Sequence, residues 1–137
     1  MKTPKRNRKA ATPAGSGEVP FRFRHRGVAG YAELLQFYRR QFHLTQAQLV
    51  RLTGFSPRSV AKWAQGERPS PKQEKALVEI DRLLTGLARV LPPDQIGRWL
   101  AQPNAAFEGS TPAQAVERGE ADRLWRMLYD LESGQPG

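Results

Sequence analysis

Residues 45–66, TQAQLVRLTGFSPRSVAKWAQG, decide the fold of this 137-residue chain. The stretch predicts two short helices that meet in a tight turn at Gly54, because glycine tolerates the positive φ that such a turn requires. Ser56 followed by Pro57 is a typical N-cap and first residue for the second helix. Gly66 stands where that helix is expected to end in the left-handed conformation.

The second of these helices is predicted to have one apolar and one polar face. Val60, Trp63 and Ala64 have the i, i+3, i+4 spacing that places three side chains on one buried face. Two cations and a hydroxyl fall roughly opposite, on Arg58, Lys62 and Ser59. Such a face on a short exposed helix is typical of a surface that enters a DNA groove. The alternative is an αα-hairpin with solvated charges, but the agreement of turn, caps and apolar face favours DNA binding.

Residues 45–71 also resemble the helix-turn-helix of the Xre family, which has the phage-repressor-like DNA-binding fold. The resemblance rests on five positions: Gln46, Gly54, Val60, Trp63 and Gly66. It implies that Gln46 and Ser59 contact the DNA backbone, and that Pro57, Arg58 and Lys62 face base edges. Pro57 departs from the usual polar residue at its position and offers only an apolar contact, for example to a thymine methyl group.

The net charge of +9 is unevenly distributed along the chain. Residues 1–26 carry eight Lys or Arg and one acid, residues 27–70 carry six and two, and residues 71–137 carry eight and ten. A basic front and a mildly acidic back indicate a DNA-binding half joined to a half with another role. We therefore predict a helix-turn-helix DNA-binding domain over residues 27–70, in which Arg68 assists the contact with DNA.

The first 26 residues are predicted to form a basic flexible arm. Clustered cations, three prolines before residue 21 and few large apolar side chains are typical of disorder. Such an arm is expected to lie along phosphates or to enter a minor groove, which makes binding sensitive to salt. The alternative, a solubilising tail, stays open. Its end, from Phe21 to Arg24, is expected to pack one aromatic ring on the domain.

The remaining helices are predicted from caps and apolar periodicity, which makes the chain all-α. They cover Tyr31–His43, a longer helix capped by Ser70 and stopped by Pro92-Pro93, Asp94–Gln102, a short helix from Thr111 to Gly119, and Glu120–Leu131. The long helix carries an apolar stripe from Ala76 to Leu91, and Glu79 and Asp81 are expected on its solvated face. Trp99 and Leu131 are predicted to point inward.

Composition excludes several classes of function. The chain has no cysteine, which excludes disulfides and thiolate metal sites and suits a reducing cytoplasm. His25 and His43 lack a neighbouring nucleophile or further metal ligands, and no Gly-rich phosphate loop occurs. No apolar run approaches a membrane span, and the N-terminus lacks the apolar segment of a signal peptide. We therefore predict a cytoplasmic protein that is not an enzyme and uses no metal or cofactor.

The second half resembles the C-terminal toxin-binding domain of the Xre/MbcA/ParS antitoxins. The resemblance covers residues 99–134 and rests on turn and core positions: Trp99, Leu100, Pro103, Asn104, Phe107, Gly109, Pro112, Val116, Gly119, Leu128 and Gly134. It implies a helical toxin-binding or dimerisation domain over residues 71–137, with a C-terminal tail. Trp125 and Tyr129, four residues apart beside the apolar face of the last helix, are candidates for the partner surface.

This resemblance also implies a function and partners. Antitoxins of this kind are encoded beside a RES-domain toxin that degrades NAD; they block that enzyme and bind their own promoter. Their C-terminal end lies at or in the entrance of the toxin active site. The corresponding residues here are Ser133, Gly134, Gln135, Pro136 and Gly137. A short polar end with a terminal carboxylate is expected to plug a pocket for a phosphate-bearing cofactor, and the alternative is a frayed terminus.

We therefore predict an antitoxin and autorepressor of a type II toxin–antitoxin system. Its expected partners are the cognate RES-domain toxin, double-stranded operator DNA, and a second copy in a homodimer or a higher toxin–antitoxin assembly. One alternative is a stand-alone Xre-type transcriptional regulator whose C-terminal half only dimerises. A basic architectural DNA protein without a toxin partner is another. The predicted DNA contacts are Gln46, Pro57, Arg58, Ser59, Lys62 and Arg68, and the predicted toxin contacts are Trp125, Tyr129 and residues 133–137.

Overall fold

The computed structural model describes Val19, Phe23 and residues 26–134, and this part of the chain contains seven α-helices and no strand. The helices are α1 (Tyr31–Phe42), α2 (Gln46–Thr53), α3 (Pro57–Ala64), α4 (Pro71–Ala88), α5 (Ile96–Leu100), α6 (Pro112–Glu117) and α7 (Ala121–Glu132). Single 3₁₀ turns at Pro93–Gln95 and Ala105–Phe107 precede α5 and follow it. The all-α prediction is confirmed.

Side-chain caps explain where four of these helices begin. Thr45, Ser56, Ser70 and Thr111 each accept a hydrogen bond from the backbone amide three residues ahead. In α2, α4 and α6 the residue at that third position is a glutamine, and its side-chain oxygen accepts a hydrogen bond from the backbone amide of the cap residue, which completes a capping box. Proline occupies the first turn of α3, α4 and α6, as the sequence predicts. Each side-chain cap contributes about 1 kcal/mol to its helix.

The buried side chains form one cluster that draws on residues from both sides of position 70. Its largest members are aromatic and aliphatic: Trp63, Tyr31, Tyr38, Phe23, Phe107, Leu77, Leu84 and Leu87. The burial of Phe23 confirms that the segment before α1 packs an aromatic ring on the domain. One continuous core serves both halves. It does not test the predicted boundary at residue 70, which stays a prediction.

In α5, Gly97 packs directly against the backbone that ends α1. A Cβ atom on Gly97 would lie 2.9 Å from the carbonyl carbon of His43 and 3.0 Å from the carbonyl oxygen of Phe42. The Gly97 carbonyl also accepts a 2.8 Å hydrogen bond from Nε2 of Gln48 in the α2 capping box. His43 itself is the left-handed C-cap of α1, with φ of 54°. A residue without a side chain is therefore required where α5 crosses the end of α1.

The prediction that Asp81 lies on a solvated helix face is wrong, although Glu79 is exposed as expected. The Asp81 carboxylate is fully buried and accepts a 2.7 Å hydrogen bond from the Tyr38 hydroxyl. Arg26 Nε lies 2.7 Å from the same oxygen, and its guanidinium donates to Thr85 Oγ1 at 2.6 Å. Helical periodicity missed this burial because the partners come from residues distant along the chain.

Four smaller predictions about the second half are also corrected. Helix α4 ends at Ala88 rather than at the proline pair, and the expected Asp94–Gln102 helix is a 3₁₀ turn followed by the five residues of α5. Trp99 is half-buried rather than inward. Leu131 is 50% exposed.

Because Arg89, just after α4, is ion-paired with Glu132 at the end of α7, the last turn of α7 reaches the level where α4 stops.

Candidate nucleic-acid interface and partner surface

Helix α3 is held by an apolar face that matches the sequence pattern. Val60 is fully buried and Trp63 nearly so, and the Phe55 ring packs edge-on against Trp63 with centroids 6.1 Å apart. Gly54, with φ of 76°, makes the turn before α3. After α3, Gly66 has φ of 99°, and the amide of the next residue bonds the Lys62 carbonyl at 3.0 Å. The orientation of α3 is therefore set by burial on one side and by glycine turns at both ends.

The opposite face of α3 is open to solvent. Pro57, Arg58 and Lys62 are exposed, as is Gln46 at the first position of α2. Within residues 26–134, no carboxylate forms an ion pair with Arg58 or Lys62. Two cations that are exposed and unpaired keep their full charge for an external anion. The structure thus brings the predicted groove-facing residues together, and their contacts with DNA stay a prediction.

Two other predicted DNA contacts are engaged within the protein. Ser59 is half-buried, and its hydroxyl lies 3.2 Å from Ser56 Oγ and 3.4 Å from Gln73 Nε2 at the start of α4. Arg68 forms an ion pair of 3.4 Å with Glu74 in the first turn of α4. These contacts join α3 and the loop after it to the N-terminal end of α4. They fix that end of α4 at the border of the exposed face.

Glu74 also connects this border to α1. The hydroxyl of Tyr31 donates a short hydrogen bond to the Glu74 carboxylate. Burial raises the pKa of the Tyr31 phenol, and the bond and charge of Glu74 raise it further. The phenol therefore stays protonated, so it remains a donor to the carboxylate across the ordinary pH range.

The second candidate surface lies on α7. Leu124 and Leu128 are buried and anchor this helix to the core. Trp125 is 40% exposed and Tyr129 is 72% exposed, so two large aromatic side chains face solvent one helical turn apart. A groove of about 550 Å³ runs from Trp125 to Leu52 at the end of α2. Exposed Trp and Tyr residues beside a groove are typical anchors of a protein interface.

The C-terminal prediction is only partly located by the structure. Ser133 and Gly134 form an exposed turn after α7, in which Gly134 has φ of 76°. The Ser133 hydroxyl donates to the carbonyl of Asp130 at 3.2 Å. Gln135, Pro136 and Gly137 lie outside the described residues, as does most of the predicted basic arm.

The sequence analysis missed a set of contacts between Arg123 and the 105–108 turn that supports α7. The Arg123 guanidinium lies 5.3 Å from the Phe107 ring centroid and donates to Glu108 at 2.9 Å and to the Ala106 carbonyl at 3.1 Å. The hydrogen bond to Glu108 raises the pKa of Arg123. Arg123 therefore holds the 105–108 turn against the helix that carries the exposed aromatics. The i, i+3 pair of Arg123 with Glu120 was a signal in the sequence for an ordered charge network.

Features of two other protein classes are lacking in the described residues. No group of three or more His, Asp or Glu side chains is placed to hold a metal ion there. Within the same residues, none of the helices is both long and apolar enough to span a bilayer.

Comparison with known proteins gives relatives that cover most of the chain. No family model matches it. The mycobacterial cidal antitoxin MbcA of Mycobacterium tuberculosis, like that of Mycobacterium bovis, is 34% identical over 92 residues, which are 66% of this chain and 81% of the relative. The crystal structure of the M. tuberculosis MbcT–MbcA toxin–antitoxin complex contains a chain with a TM-score of 0.61 and 30% identity. That match covers 78% of this chain and 97% of the other.

Proposed function

Since the chain belongs to the family of MbcA antitoxins, we propose that it neutralises a RES-domain toxin that degrades NAD and that it represses its own promoter. The toxin–antitoxin role follows from the family, and the MbcA relative has been crystallised in complex with its toxin MbcT. The observation that carries the proposal is the exposed pair Trp125 and Tyr129 on a helix whose other face is firmly buried. Both activities are proposed to operate in the cytoplasm.

Toxin binding is proposed to centre on this aromatic pair. Tyr129 is 72% exposed, so a partner can bury its apolar ring, and its hydroxyl can form a hydrogen bond at the rim of the interface. Arg123 and the buried leucines keep the helix rigid, so little conformational freedom is lost on binding. From the end of α7, residues 133–137 are proposed to enter the toxin active site.

Co-purification with a RES-domain protein, sought first among the products of neighbouring genes, tests this proposal. Tyr129→Ala is expected to weaken the complex by about 2 kcal/mol, which is roughly 30-fold in Kd. In an NAD-consumption assay, correspondingly more of this variant is needed to inhibit the toxin. Arg58→Ala serves as a control, because Arg58 lies on the other candidate surface, that of α3. Equal inhibition by wild type and Tyr129→Ala would contradict the assignment of this surface.

DNA binding is proposed to use the open face of α3. Arg58 and Lys62 are free to donate to guanine edges or phosphates in the major groove, and Pro57 offers an apolar contact. Gln46 is proposed to bond a phosphate from the start of α2. Ser59 and Arg68 are proposed to reach the backbone at the border of this face. A homodimer would place two such faces on half-sites about 34–36 Å apart, one turn of the double helix.

Binding to a fragment of the protein's own promoter tests this second activity. Arg58→Ala is expected to cost about 1–3 kcal/mol on that fragment and to relax the preference at one base pair. Arg126→Ala is the matched control, since it removes the same charge from α7, where Arg126 pairs with Asp122 at 3.0 Å. If promoter binding is seen but no toxin co-purifies, the stand-alone regulator becomes the better description. If both variants bind like wild type, α3 is not the reading helix.

A further inference from the structure

The groove beside α4 has two opposite charges on its rim that are close together but not paired. This groove of about 550 Å³, which ends at Trp125, is also lined by Glu79 and Arg82, three residues apart on α4. Both side chains are exposed. Within residues 26–134, neither forms an ion pair, although opposite charges three apart on a helix are near enough to interact. Both charges are therefore available to a second molecule.

The floor of the groove is apolar and comes from four helices. Its members belong to α2, α4, α6 and α7, and they are Leu52, Ala76, Ile80, Leu83, Val116 and Ala121. The two alanines and the valine are partly exposed, and the edge of the Trp125 ring adds apolar surface at one end. Because alanine has only a methyl side chain, a partner can approach the backbones of α4 and α7 closely.

The two rim charges fit a second copy of this chain. In a two-fold symmetric interface, each contact of residue i with residue j of the partner is repeated as a contact of j with i. Two antiparallel α4 helices that cross between Glu79 and Arg82 place the acid of each protomer beside the base of its partner, which gives two identical ion pairs. A strongly acidic or strongly basic partner would gain one pair and suffer one repulsion at the same rim. The charges thus favour a second copy over a partner of one sign.

A second copy on this groove leaves the proposed DNA-reading face open. The groove shares Thr53 with a neighbouring hollow that reaches Phe55, just before α3, so α3 begins beside it. Arg58 and Lys62 line neither of these two hollows. Two protomers joined here therefore place their α3 helices side by side about the axis, as an operator with two half-sites requires. Tyr129 also lies outside the groove, so it stays exposed to the toxin.

We propose that this groove is the homodimer interface, and that reciprocal ion pairs between Glu79 of one protomer and Arg82 of its partner set its register. The inference rests on the proposed promoter binding, for which it assigns the surface that brings two α3 helices together. The floor of the groove and the edge of Trp125 supply the apolar part of the contact. The ion pairs align the two α4 helices in antiparallel.

Charge reversal in the full-length chain tests this pairing by sedimentation equilibrium. Glu79→Arg replaces both ion pairs with contacts between arginines, because the symmetry repeats every change. An exposed ion pair is worth up to about fivefold in affinity, so losing two pairs and gaining two repulsions should raise the dimer Kd about tenfold or more. Arg82→Glu should have the same effect. The double variant, Glu79→Arg with Arg82→Glu, restores both pairs, so its Kd should return close to that of wild type.

The pair of Asp122 and Arg126 on α7 provides the matched control. These two side chains are exposed and lie 3.0 Å apart, but they do not line the groove. Asp122→Arg creates the same repulsion within one helix as Glu79→Arg does, and it should leave the dimer Kd unchanged. None of these positions is buried, so the variants keep the fold and test association alone.

Cysteine cross-linking tests the same register without relying on charge. The chain has no cysteine, so each substitution introduces a single thiol. With copper phenanthroline as the oxidant, a mixture of Glu79→Cys and Arg82→Cys chains should form disulfide-linked dimers faster than either variant by itself. The reason is that position 79 faces position 82 across the axis, and the mixed dimer also keeps one ion pair. A mixture of Asp122→Cys and Arg126→Cys should show no such advantage.

The outcomes separate this inference from the function on which it rests. A wild-type chain that is monomeric at micromolar concentrations overturns the inference, as does a dimer that neither single reversal weakens. A double variant as weak as the single ones also overturns it, because the contact is then not reciprocal. If the chain is monomeric and Glu79→Arg instead weakens a complex with a RES-domain protein, the groove belongs to the toxin. Dimerisation with the expected pattern but without promoter binding supports the groove and overturns the promoter proposal.

Discussion

Replacement of Gly97 by alanine is the sharpest test of how the two halves are joined. Gly97 lies in α5 with its Cα against the backbone that ends α1, and its carbonyl accepts the side chain of Gln48. An added Cβ would meet main-chain atoms of Phe42 and His43, which cannot rotate away as the end of a side chain can. The substitution therefore forces α5 away from α1 or distorts the left-handed cap at His43.

The expected loss of stability follows from three contributions. The Cβ would start 2.9 Å from the His43 carbonyl carbon, whereas carbon atoms in contact prefer about 3.5–4.0 Å. Overpacking of this kind costs about 1–3 kcal/mol, and a rigid backbone neighbour favours the upper half of that range. Loss of the Gln48 hydrogen bond adds about 1 kcal/mol, and the better helix propensity of alanine offsets about 1 kcal/mol. We therefore expect Gly97→Ala to lower the free energy of unfolding by about 2–3 kcal/mol.

Urea unfolding followed by tryptophan fluorescence measures this loss. With a slope of about 2 kcal/mol per molar urea, the midpoint should fall by about 1–1.5 M. Gly86→Ala is the matched control, a second buried helical glycine whose added Cβ would meet only side-chain atoms, Leu128 Cδ1 at 3.2 Å and a Trp125 ring carbon at 3.4 Å. Those atoms can give way, so this control should stay within about 1 kcal/mol of wild type.

Equal stability of Gly97→Ala and wild type would refute the reasoning. It would mean that α5 moves freely relative to α1 and that the common core does not fix the two halves against each other. A loss of the same size in Gly86→Ala would also count against it, because the cost would then reflect any added methyl group rather than contact with the backbone.

Three further predictions address the tail, the charge network and the core. Deletion of residues 134–137 should release toxin activity in the NAD assay while promoter binding is retained; unchanged inhibition would exclude the plug. The hydrogen bond from Arg118 holds the pKa of Glu120 below its ordinary value, so the stability from this group is present above about pH 4.5 and is lost as the pH falls through the lowered pKa. Urea titrations of Glu120→Gln should therefore show a weaker dependence on acid, and an identical acid dependence would contradict the assignment. Trp63→Ala should cost about 3–5 kcal/mol, because it empties the space behind α3; a smaller loss in calorimetry would mean that α3 is anchored elsewhere.

Local signals in the sequence predicted helices α2 and α3 and the turns beside them well. Ser56, followed by Pro57, caps α3, and Gly54 and Gly66 have the positive φ of the turns on either side of it. Each of these features depends on residues within a few positions of one another. The burial of Val60 and the exposure of Arg58 follow from helical periodicity alone, so the sequence is sufficient to place this face.

Features that join distant segments could not be predicted in the same way. Asp81 looks like an ordinary helix charge until Arg26 and Tyr38 are brought to it by the packing of α1 on α4. Gly97 looks like a weak point in a helix until α5 crosses the end of α1. Leu131 has the spacing of a core residue, but it is 50% exposed and lies beside the 105–107 turn. In each case the cause is a tertiary contact that periodicity does not contain.

Helix α4 separates the two candidate surfaces, on α3 and on α7. Gln73, near its beginning, contacts Ser59 in α3, the proposed DNA-reading helix, and Gly86, near its end, faces the ring of Trp125. Thirteen residues of continuous helix hold these points about 20 Å apart. The proposed toxin surface and the proposed promoter surface therefore lie near different ends of α4. If both proposals hold, one protomer presents the two sites on separate surfaces, so binding at one does not use the residues that bind at the other.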